Sequence, residues 1–306
     1  MSAISPPALG GAVYDRGYRP YEGVRGGRSA GRWALWRLTL RRALGLRRSW
    51  RQKVLPWTLL GLVTIPAAVD LGVRYATRNT PLGEIGYEFL TFRDYVGVST
   101  MLLLFVAVSA PDVICPDRHD RVLPLIFSRP LTGDDYVLAK VGGIFTLVFG
   151  FSFFPQVLLY IGQMLVNEDG ALTYVGDHLD VLWQVPLSVA ILALYYAVVS
   201  VAVASLTDRR IVGGLAFLGV LFIPAIIAGA IVEAANQGEG TIFGVFNLLN
   251  LPLMLRDIVF EGQIDVDRDA GLSGVAGAGW TALALYVAIV STGLLVLHRR
   301  YREARL

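Results

Sequence analysis

VLWQVPLSVAILALYYAVVSVAVASL, residues Val181 to Leu206, runs for 26 residues without an Asp, Glu, Lys or Arg. A helix needs about 20 such residues to cross about 30 Å of hydrocarbon, so this stretch is long enough to span a membrane unaided. Only in a helix can every backbone N–H and C=O of a single span be satisfied without water. The rest of the chain agrees: 55% of its 306 residues are hydrophobic and 17% charged, with a mean hydropathy of +0.57, far from the composition of a water-soluble domain.

Working outward from Val181, five more stretches qualify: Leu55 to Val73, Tyr95 to Ser109, Val137 to Val166, Ile211 to Val232 and Val275 to Leu297. The second is the shortest and can draw on Phe89 to Asp94. The fold class is therefore an all-α membrane protein of six transmembrane helices, residues 55–306, preceded by a mobile tail at 1–31 and a basic interfacial helix at 32–54. Met1 to Arg32 is rich in Gly, Pro and Arg and has no apolar core of a secretory signal, so the start is expected to stay on the side of synthesis.

Six spans put both termini on one face, and the basic residues choose which face. Of the 27 Lys and Arg, 22 fall on the side holding the termini and only Arg74, Arg78, Arg93, Arg256 and Arg268 on the other. By the positive-inside rule both termini are cytoplasmic. The single cysteine, Cys115, then faces the reducing compartment. The expected location is the cell membrane, and 25 Arg against 2 Lys reads as the codon bias of a GC-rich bacterium.

Arg32 to Lys53 sets Trp33, Trp36, Leu40 and Leu44 on one helical face, with Arg37, Arg41 and Arg48 beside them. This suits a helix lying in the headgroup layer and touching anionic membrane lipid, or a plain positive anchor, rather than nucleic acid. The longest external loop, 233–274, contains the apolar patch Phe246 to Phe260, broken by Pro252 and Arg256. It reads equally as a re-entrant segment or an interfacial helix.

The most informative loop is 111–140, PDVICPDRHDRVLPLIFSRPLTGDDYVLAK. Asp117 and Arg118 give it a charged start, Leu123, Leu125, Ile126 and Phe127 an apolar middle, and Arg129 with Pro130 a stop. Thr132 and Asp135 have the spacing of a capping box for the next span. A short helix that offers apolar residues to the cytosol implies a partner to bury them.

This loop resembles the coupling helix of the membrane subunits of ABC exporters of the type 2 class, in which a charged start and a Leu-rich middle lead to a small residue, Arg or Lys, Pro, an aliphatic residue and a Lys. Here those places hold Asp117 and Arg118, Leu123, Leu125 and Ile126, then Ser128, Arg129, Pro130 and Leu131, and finally Tyr136 and Lys140. It departs at Arg121 and Val122, where the family has Gly-Thr, and at Pro124, where an acidic residue is common. The resemblance implies a permease subunit that pairs with a second permease protomer, identical or not, and docks the coupling helix on a cytoplasmic ABC ATPase subunit. ATP and Mg would then belong to that subunit, with no cofactor on this chain, and indeed no G-x-x-x-x-G-K-[ST] stretch is present. A charge placed at Leu125 or Phe127 is expected to break coupling without unfolding the protein.

Ionisable groups at membrane depth mark ion-coupled carriers, and here the deep polar residues are neutral. Gln156, Tyr160 and Gln163 share one face of the third span and line either a substrate pathway or a helix contact. No enzyme or metal constellation stands out: Cys115 and His119 with Asp117 and Asp120 are better read as loop, and the external Asp265, Asp267 and Asp269 as solvated acids. The reading is a non-catalytic permease moving an apolar or amphiphilic cargo. The alternative is a membrane scaffold that recruits a cytoplasmic partner without transport.

Overall fold

The computed structural model describes residues 26–46, 50–77, 80, 90–96, 99–128, 130–167, 170–235, 241–264, 272 and 275–303. Among them every regular element is helical: α1 (Arg28–Ala43), α2 (Trp50–Thr77), α3 (Phe92–Val96), α4 (Ser99–His119), α5 (Leu123–Phe127), α6 (Gly133–Val166), α7 (Ala171–Asp177), α8 (Val181–Ala204), α9 (Arg210–Ala235), a 3-10 turn (Ile242–Phe246), α10 (Leu251–Glu261) and α11 (Ala278–Glu303). Five are long and apolar enough to cross a membrane, namely Trp57–Thr77 within α2, then α6, α8, α9 and Ala278–Arg302 within α11. The tail expected over residues 1–25, together with Arg48, Arg78, Arg129, Arg268 and the acids Asp265, Asp267 and Asp269, lies outside the described residues.

The helices alternate in direction. Asp112 pairs with Arg210 and the Ala107 carbonyl lies against Gly214, so α4 and α9 are antiparallel. The Phe105 ring meets Phe151 while the Val113 carbonyl meets Lys140, which sets α4 against α6 in the same way. Conversely, Tyr286 bonds the Ile191 carbonyl and Gly293 lies against Val198, so α8 and α11 run parallel. Helix α8 is the centre of the bundle: 72% of its most apolar stretch is buried, against 17% for α2 and α9. Small and β-branched residues such as Ala193, Ala197, Val198 and Val201 allow its neighbours to come close on all sides.

Three expectations change on folding. The basic helix expected at 32–54 is two elements, because Gly45 at φ 64° ends α1 and α2 starts afresh at Trp50. Its inward face is Leu35, Thr39 and Ala43, with Trp36, Leu40 and Leu44 half-buried beside them and Trp33 exposed. Thr39 packs where a side chain at Gly143 would sit, and the Trp36 indole donates to Thr146 at 3.2 Å, so α1 lies along α6.

The second change concerns the loop drawn at 111–140. Helix α4 does not stop at Ser109 but continues through Pro111 and Pro116 to His119, while α6 begins at Gly133, well before Val137. Tyr95, drawn into the second span, belongs to the separate short helix α3. A proline costs a helix one hydrogen bond. Here the flanking Val113, Ile114 and Cys115 are fully buried, and their packing outweighs that loss. The connecting loop shrinks to residues 120–132, with α5 inside it.

The third is the external patch. Pro252 does not break it: as the second residue of α10 it needs no intrahelical N–H partner, and Gly262 at φ 75° closes the helix. Helix α10 packs against α8 and α11 with Leu251 to Asp257 buried, so the patch is part of the bundle core and not a helix lying free.

Candidate functional site

Helix α5 hangs from the charged end of the bundle, between two well-made helix ends. At the close of α4 the Val122 N–H donates to the Asp117 carbonyl at 3.0 Å and the Arg121 N–H to the Arg118 carbonyl at 3.1 Å. These two bonds form a Schellman motif whose left-handed residue is Arg121, at φ 51°. At the start of α6 the capping box is present: Thr132 accepts from the Asp135 N–H, and the Asp135 carboxylate accepts from the Thr132 N–H. Arg28 of α1 clamps the same carboxylate at 2.6 Å and holds Thr132 at 2.9 Å. That bond raises the Arg28 pKa above its ordinary value.

Behind the loop lies a buried charge cluster. The Lys140 ammonium sits 2.6 Å from Asp117 Oδ2 and donates to the Val113 carbonyl at 2.9 Å. Tyr136 donates to the same carboxylate oxygen at 3.0 Å, and Arg42 of α1 donates to Oδ1 at 2.5 Å. Both carboxylate oxygens are thus committed, which is what a buried charge requires. One carboxylate therefore ties α1, α4 and α6 together at their meeting point.

The residues expected to meet a partner divide into two sets. Asp117 is 2% exposed and faces inward, so it acts within the bundle and not on its surface. Arg118 is also turned inward, bonding the Ser205 carbonyl and pairing with Asp208 at 3.0 Å. Leu123, Ile126 and Phe127 are half-buried against the core, with the Phe127 ring centroid 6.1 Å from that of Tyr136. Leu125 is 71% exposed and projects from α5, with Pro130 also exposed. The surface left for a partner is Leu125, the outer sides of Ile126 and Phe127, and the exposed His119, Asp120 and Arg121.

Arg42 and the inward role of Asp117 escaped the sequence reading. The only signal was a Lys at the start of an apolar helix, since a lysine there needs an acid close by.

Cys115 and His119 do not form a pair. The thiol is buried against the Ala204 and Thr207 carbonyls at 3.6 and 3.5 Å, while the His119 ring is exposed beside Asp120. Among the described residues no group of three His, Cys, Asp or Glu side chains is placed to hold a metal.

The polar face of α6 divides as well. Gln163 accepts from Tyr174 at 2.7 Å and reaches Asp70 at 3.5 Å, and Asp70 pairs with Arg74 at 2.9 Å. Gln156 is 1% exposed, and among the described residues neither atom of its amide has a hydrogen-bond partner, nor has the Tyr160 hydroxyl. The three residues lie on one face as spaced, and the Tyr160 ring meets those of Phe92 and Tyr174, but among the described residues only Gln163 of the three makes a side-chain hydrogen bond. Compared with protein-family models and with curated proteins, the chain matches none.

Proposed function

We propose that this chain is the permease half of an ATP-driven exporter of the ABC type 2 class, working as a dimer with a separate ATPase subunit docked on α5. The observation that carries the reading is Leu125. Leu125, 71% exposed, stands beside half-buried Ile126 and Phe127 on a five-residue helix held at both ends by a Schellman motif and a capping box, and so gives α5 a fixed apolar tip that fits an apolar groove on a partner.

The helix directions support six crossings. Helix α4 is 21 residues long, or about 31 Å at 1.5 Å per residue, and runs antiparallel to both α6 and α9. Asp70 and Leu71 near the end of α2 lie beside Gln163 and Gly162 near the end of α6, so α2 and α6 rise together. A chain that rises twice must descend between, and α4 is the long helix available for that descent. With α4 as the second crossing both ends of the chain share the charged end of the bundle, which the positive-inside rule makes cytoplasmic. Helix α5 then faces the cytosol, where an ATPase and its Mg and ATP are found.

The charge cluster supplies a path from α5 into the membrane part. A push on α5 bears on the α4–α6 corner, where Asp117 joins Lys140 to Arg42, and so moves two long helices and α1 together. Purifying the full chain from its native membrane in mild detergent and identifying its companions tests the reading. A stoichiometric P-loop ATPase is the expected companion, and its absence across several mild detergents favours the scaffold.

A further inference from the structure

Ser152, Gln156 and Tyr160 follow one another at four-residue spacing on α6 and so stand on one face, one above the next. That face is turned toward α2, since Leu159 shares an apolar cluster with Val63, Ala67 and Tyr95, and Gln163 reaches Asp70. Ser152 is 4% and Gln156 1% exposed, yet the serine hydroxyl, both ends of the glutamine amide and the tyrosine hydroxyl have no hydrogen-bond partner among the described residues. Asp70 Oδ1, one turn further out, lacks a donor too. Pro155 adds to this row, because it has no N–H to give the Phe151 carbonyl.

Buried polar groups without partners are costly in hydrocarbon, and a stripe of them on one helix face marks a place kept for something other than stability. The same helix satisfies Gln163 fully, so partners were within reach of the fold. We propose that Ser152, Gln156 and Tyr160 form a binding site for the neutral, hydroxyl-bearing head of an amphiphile, with Asp70 Oδ1 as an outer acceptor. The amide and the hydroxyls both give and take hydrogen bonds, which suits hydroxyls. The one charged pair on this face, Asp70 with Arg74, is already internally neutral. Val63 and Leu159 are buried together beside the stripe, and half-buried Tyr160 meets the Phe92 ring, so the surroundings of the head group are apolar.

The site deepens the exporter reading by naming its class of cargo, but it stands on the α6 face and needs no ATPase. The test is photolabelling of the full chain in phosphatidylcholine nanodiscs with a monoacylglycerol carrying a diazirine in its acyl chain. Label is expected on α6, falling about tenfold in Gln156→Met, the worth of one hydrogen bond, and falling also in Ser152→Ala. The thermal midpoint of Gln156→Met should hold or rise, because the replacement fills the same space without orphaned groups. Competition by excess diacylglycerol would identify a bilayer lipid as the ligand; its absence would identify a single-chain solute. Equal labelling of wild type and Gln156→Met, or a lower midpoint with label unchanged, overturns the site. Because no ATPase is present, such a failure leaves docking at Leu125 to its own test.

Discussion

The ammonium of Lys140 lies 2.6 Å from the carboxylate of Asp117, with both side chains almost wholly buried. The pair joins the last turn of α4 to the second turn of α6, and Arg42 brings α1 to the same carboxylate. Removing one partner leaves a charge stranded in the bundle. Asp117→Asn should cost about 3 kcal/mol, within the range for a broken buried pair, and Lys140→Met less, since Arg42 still meets the carboxylate. Denaturation of the single variants and of the double variant Asp117→Asn with Lys140→Met gives the coupling; additive losses would show that the pair does not act as a unit.

Arg121 holds a left-handed backbone at φ 51° at the close of α4. A residue with a Cβ is strained there and glycine is not. Arg121→Gly should stabilise the protein by about 0.5–1 kcal/mol, read as a higher thermal midpoint. A lower midpoint would mean that the Arg121 side chain contributes more than its backbone costs.

Leu125 and Phe127 should separate surface from core. Leu125→Asp, at an exposed position, should alter stability by less than about 0.5 kcal/mol while removing the co-purifying ATPase. Phe127→Asp, half-buried next to Tyr136, should destabilise the protein as well, read as a lower thermal midpoint than that of Leu125→Asp. Retention of the ATPase by the Leu125→Asp protein would remove α5 as the docking element.

Sequence alone determined the all-helical, membrane-like class of this protein, from apolar runs such as Val181 to Leu206, and the capped start for α6 at Thr132 and Asp135. These signals are local or additive, carried by length, composition and spacings of three or four residues. Only the tertiary structure decided the use of the polar residues. It carried α4 through two prolines, split the basic helix at Gly45, turned Asp117 inward to Lys140 and Arg42, 75 residues away from the latter, and satisfied Gln163 while leaving Gln156 without a partner. Whether a buried polar group is paired depends on which helices meet at its depth. That is settled by packing across the bundle, and no spacing along the chain contains it.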